Sequence, residues 1–90
     1  MKIKAKVWQH GRPEEEHSQV LVYPEQGEHP HTTAMQAAMR FCREWRGIDG
    51  RGIGADWFPL LLSVRLEDSD PVVVRVWARF EPQFRAEVMP

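Results

Sequence analysis

PVVVRVWARFE, residues Pro71 to Glu81, is the stretch whose reading decides the fold. Taken as a strand, one side carries Val72, Val74, Val76, Ala78 and Phe80, and the other carries Val73, Arg75, Trp77, Arg79 and Glu81. Alternation of this length, rich in β-branched and aromatic residues, is the signature of a strand with one face in a core. The other face then offers arginine beside tryptophan.

Working outward, Leu60, Leu62, Val64 and Leu66 alternate with Leu61, Ser63, Arg65 and Glu67. The polar run Glu67-Asp68-Ser69-Asp70 joins this strand to the opening one as a hairpin. Beyond Pro82, Phe84, Ala86 and Val88 alternate with Arg85, Glu87 and Met89, so residues 83–89 read either as a short fifth edge strand or as a frayed tail. At the N-terminus, Met1 to Gln9 alternates Ile3, Ala5 and Val7 with Lys2, Lys4, Lys6 and Trp8. A polar loop with three adjacent glutamates, Glu14 to Glu16, leads into a second strand, Ser18 to Tyr23, whose inward set is either Val20/Val22 or Leu21/Tyr23.

One helix is expected. Thr33 precedes Gln36 by three, a capping-box spacing. Met35, Ala38, Met39, Cys42 and Trp45 then recur at three and four residues, flanked by Ala34 and Phe41, with Gly47 as the stop. Gly47 to Asp56 reads as a connector, with Trp57 and Phe58 anchoring it near the helix end. The order is β-β-α-β-β with a further short strand at the C-terminus as an option: an α+β fold of four or five antiparallel strands. A single helix covers one face of such a sheet and leaves the other open.

Ninety residues suit one domain, 1–90, with a single core layer and no deep cavity. No apolar run approaches the roughly 20 residues of a membrane span, and the start MKIKAK leads into a strand pattern, so neither a membrane segment nor a signal peptide is expected. With one cysteine, Cys42, no intrachain disulfide forms, and the expected location is cytoplasmic. The net charge of −1 argues against a surface wholly adapted to nucleic acid.

The open face gathers the candidate site: Lys2, Lys4, Lys6, Trp8, Arg65, Arg75, Trp77 and Arg79. With Arg85 it holds seven cations against Glu67, Glu81 and Glu87, which makes it basic while the rest of the chain is acidic. Arginine and tryptophan dominate protein hot spots. The same pair suits base stacking with phosphate neutralisation, and it also suits a solvated face where cationic stems lie over indole rings. The favoured expectation is a non-enzymatic interaction protein, of inhibitor or adaptor type, with a protein or nucleoprotein partner. The alternative is an RNA or single-stranded DNA binding module using the same residues. Homodimerisation through this face would cover Trp77.

Catalytic, metal and cofactor sites are not expected. The glycine-rich connector follows a helix instead of preceding one and lacks the phosphate-loop pattern. The histidines, His10, His17, His29 and His31, lack CxxC, HxxxH or HExxH spacing. Cys42 lies mid-stripe, where a buried apolar role is expected, and no serine sits in a nucleophile elbow. In size and compact α+β build the chain resembles small inhibitor proteins encoded by phages and other mobile elements. This is a resemblance of format that carries over no residues.

Overall fold

A computed structural model describes residues 1–44, 59–80 and 83–90, without the side chains of residues 78–80, 83 and 84. The glycine-rich connector, Trp57, Phe58, Gly47 as helix stop, and Trp45 lie outside the described residues.

The strands are β1 (Ile3–Gln9), β2 (Ser18–Val22), β3 (Leu60–Leu66), β4 (Val72–Phe80) and β5 (Gln83–Val88), with one helix, α1 (Pro30–Glu44). They form one antiparallel sheet in the order β2-β1-β3-β4-β5, with α1 packed on one face, an α+β fold. The tail is therefore a strand: β5 pairs with β4, and Ala86 and Val88 pack against the core. Pairing also settles β2, whose Val20 and Val22 point into the core while Tyr23 lies past the strand end, 60% exposed.

The core lies between α1 and the face formed by Ala5, Val7, Val20, Val22, Leu62, Val64, Val74 and Val76. The helix contributes Ala34, Ala37, Ala38 and Cys42, with Met35 and Phe41 half-buried beside them. The buried line is thus turned from the expected one toward Ala34 and Ala37. Small side chains let the helix axis come close to a sheet built of valines, while the longer Met35 and Met39 fit only at the flanks.

The helix starts earlier than the Thr33–Gln36 spacing predicts. Pro30 occupies the first helical position, where its missing N–H is no loss. His29 caps it: its carbonyl accepts from the Thr32 and Thr33 N–H groups, and its Nδ1 accepts from the His31 N–H at 3.0 Å. Thr33 and Gln36 make no capping box. Both donate to Glu28, Thr33 Oγ1 to Oε2 at 3.0 Å and Gln36 Nε2 to Oε1 at 3.2 Å, and so tie the preceding loop to the first turns. Among the described residues, no helix is long and apolar enough to cross a membrane.

Candidate functional site

The face away from α1 carries the expected basic and aromatic residues, and the structure divides them into three groups. The first is Lys2 and Lys4. Both are exposed, and neither has an ion pair among the described residues. Lys4 meets β3 at Glu67, whose N–H it accepts, whereas Arg75 lies opposite Leu61. Those two points are six residues apart along one chain, about 20 Å in extended form. Lys2 and Lys4 thus stand apart from the cluster around Arg75.

The second group is Lys6, Trp8 and Arg65. Lys6 and Arg65 are cross-strand neighbours whose charges repel. Glu14 resolves this. The β1–β2 connection folds its single 3₁₀ turn, Glu14–Glu16, back over the face. There Glu14 Oε1 accepts from Arg65 Nε at 3.1 Å and Nη2 at 3.0 Å, while Oε2 lies 3.7 Å from Lys6 Nζ. Arg65 Nη1 also donates to the Ser69 carbonyl, and His17 Nδ1 bonds the Glu14 carbonyl at 2.9 Å. Beside this strap Trp8 is only 7% exposed, opposite Ser63, itself 5% exposed and hydrogen-bonded through Oγ to His10 Nδ1. Trp8 is therefore a packing residue and is withdrawn from the candidate contacts, because its indole lacks a free surface. Lys6 and Arg65 are engaged within the chain.

The third group lies on β4 and β5 and remains accessible. Trp77 is half-buried, with the Arg75 guanidinium carbon 5.3 Å and that of Arg85 5.4 Å from its ring centroid. Arg75 precedes it by two on the same strand, and Arg85 is its direct partner on β5. Such spacing is within reach of cation–π attraction, worth about 0.5–1 kcal/mol at exposed sites. Glu87, opposite Arg75, forms an ion pair with it. Leu61, opposite Arg75 on β3, is 39% exposed and extends the cluster with an apolar side chain. The side chain of Arg79 lies outside the described residues. A register shift between Ala78 and Phe80 also interrupts the alternation from which its facing was expected.

Sequence reasoning missed two members of this arrangement. Leu61 was legible as an outward residue but has no charge to attract notice. Glu14 reads in sequence only as one of three adjacent glutamates in a polar loop. A connection of eight residues, His10 to His17, is longer than a hairpin requires, and its acids face a strand pair carrying Lys6 and Arg65. That combination was the available signal.

Elsewhere the titratable groups have structural roles. Cys42 is 5% exposed, and burial pushes its thiol up to about 12, so it is held protonated and is a poor nucleophile. His10, His17 and His29 make the hydrogen bonds described above, and His31 packs edge-on against His29 with centroids 4.8 Å apart. Among the described residues, no three His, Cys, Asp or Glu side chains are grouped to hold a metal ion. A groove of about 350 Å³ near the helix start is lined by Ile3, Pro24, Glu28, Leu66 and Asp68 among others. No protein-family model, curated protein or solved structure matches this chain.

Proposed function

We propose that this is a non-enzymatic interaction domain, of adaptor or inhibitor type, that binds a protein partner through Trp77, Arg75, Arg85 and Leu61. The partner surface suited to these residues is an apolar recess rimmed by carboxylates. The recess takes the indole and Leu61, and the rim meets the two guanidiniums. The observation that carries the reading is Trp77, half-buried, with two guanidiniums over its ring at 5.3 and 5.4 Å. An aromatic anchor whose neighbours already fix its rotamer loses little conformational freedom on binding.

The same observation weighs against single-stranded nucleic acid. Base stacking requires an open indole face, and here guanidiniums already lie over the ring. Part of the positive charge that would follow a phosphate backbone is also met internally, Lys6 and Arg65 by Glu14.

The experiment compares wild type with Trp77→Ala for capture of a specific protein from nuclease-treated extract. A salt titration against a single-stranded oligonucleotide runs in parallel. The reading expects a nuclease-resistant protein captured by wild type and lost with Trp77→Ala, together with weak oligonucleotide binding. Tight oligonucleotide binding that falls steeply and log-linearly with salt would overturn it in favour of nucleic acid.

A further inference from the structure

The sheet ends in two unequal edges, and hydrogen-bond phase separates them. The Met89 N–H donates to the Val73 carbonyl at 2.8 Å. In the β4–β5 register this makes Val73 and Met89 a hydrogen-bonded pair, and bonded and non-bonded pairs alternate along an antiparallel ladder. Arg75/Glu87 and Trp77/Arg85 are then bonded pairs, while Val74/Val88, Val76/Ala86 and Ala78/Phe84 are not. The backbone N–H and C=O groups of residues 84, 86 and 88 therefore point off the sheet. No proline interrupts residues 83–88.

The opposite edge is shorter. His10 N–H donates to the Leu61 carbonyl and Glu67 N–H to the Lys4 carbonyl, so the even residues of β1 bond β3 and the odd ones bond β2. Ser18, Val20 and Val22 are thus engaged with β1. Only Gln19 and Leu21 present outward backbone groups, and β2 contains no charged residue.

We infer that β5 is a dimerisation edge, at which two copies of this chain pair antiparallel through Gln83–Val88 about a two-fold axis at Ala86. The register follows from charge. Pairing that uses the outward groups must set residues 84, 86 and 88 against one another. Centred on Ala86, it places Ala86 opposite Ala86 and residue 84 opposite residue 88. Arg85 of each copy then faces Glu87 of the other in non-bonded pairs, where side chains come closest. Sliding to the next allowed register in either direction sets Arg85 opposite Arg85 or Glu87 opposite Glu87. Charged side chains ordinarily protect an edge from indiscriminate pairing. Here their order admits one symmetric pairing and opposes its neighbours.

The product is a continuous sheet of ten strands, five from each copy, with an isologous interface. Glu87 is then shared between its own Arg75 and the second copy's Arg85. The two Trp77 groups lie on the same face of the joined sheet and stay uncovered. The pairing shares Arg85 with the partner reading above but rests on the backbone edge and charge order of β5, and does not require that reading.

The test measures mass in solution by sedimentation or light scattering, from low to high micromolar concentration. Wild type is expected to form a reversible dimer. Arg85→Glu alone and Glu87→Arg alone each set like charges opposite at two positions, so each should weaken self-association roughly tenfold or more. Mixed in equal amounts, the two variants are complementary at both positions and should recover a heterodimer, which requires that both are folded. Ala86→Pro removes an outward N–H without taking one from β4, and it should give a folded monomer. Trp77→Ala should remain dimeric, which separates failure of this inference from failure of the partner reading.

Several results would overturn it. They are a wild type that stays monomeric throughout, a dimer indifferent to Ala86→Pro or to both charge reversals, open-ended oligomers, and a mixture that associates no better than its components.

Discussion

Two tryptophan–arginine groups share one face of the sheet and have opposite fates. Trp8, near Arg65, is 7% exposed beside a returning loop, whereas Trp77, with Arg75 and Arg85 over its ring, is half-buried and accessible. The strands that carry them look alike in sequence. The connections differ. Eight residues join β1 to β2, enough to fold a 3₁₀ turn back over the face and set Glu14 between Lys6 and Arg65. Two residues join β4 to β5. The comparison teaches that whether an outward cation–aromatic pair serves packing or recognition depends on the neighbouring loop as well as on the pair.

The comparison breaks most readily at the tryptophans themselves. Trp8→Ala empties a buried site and should cost about 3–5 kcal/mol in urea unfolding. Trp77→Ala, from a half-exposed position, should cost about 1 kcal/mol while abolishing partner capture. Equal losses would mean that the two groups are not distinct.

Glu14→Ala tests the strap. It leaves two partly buried cations facing each other without a carboxylate, and stability should fall by about 1–2 kcal/mol, with a smaller difference at high salt. At the other group, Arg75→Ala removes an exposed ion pair and a cation–π contact and should change stability by less than about 1 kcal/mol. If Arg75→Ala proved costlier than Glu14→Ala, the assignment of strap and free surface would be reversed.

The helix-side layer supplies a control that neither group should touch. Burial raises the Cys42 thiol from 9.0 to about 12, so the unfolded chain releases this proton at lower pH than the folded one. Its contribution is intact below about pH 9 and is lost as pH rises toward 12. Unfolding measured across the alkaline range should show a decline that Cys42→Ala reduces and that Trp8→Ala and Trp77→Ala leave in place.

Much of the architecture was legible because local pattern and global demand agree. The alternation in β1, β3 and β4 assigned inward faces that the structure reproduces, and the helix was legible from its apolar recurrence. What escaped was contextual. Two inward sets are equally apolar in Ser18–Tyr23, and only pairing of Val20 with Ala5 and Val22 with Ile3 selects between them. Thr33 and Gln36 carry a capping spacing, yet His29 caps the helix four residues earlier, with Pro30 as its first residue, and Glu28 takes both side chains. The candidate site was half legible. Arg75 and Trp77 stand where alternation puts them, Trp8 is buried, and Arg85, secondary in the sequence reading, completes the cluster.

By itself the sequence determined that β1, β3 and β4 are strands, which side of each meets the core, and that one amphipathic helix covers them, because these follow from periods of two and 3.6 in the chain's own pattern. Only tertiary structure decided which outward residues remain accessible, how β2 faces, and which edge of the sheet offers the longer run of outward backbone among the described residues. Those depend on where an eight-residue loop comes to rest and on which strands stand at the ends of the described sheet, and contacts between distant segments leave no period to read.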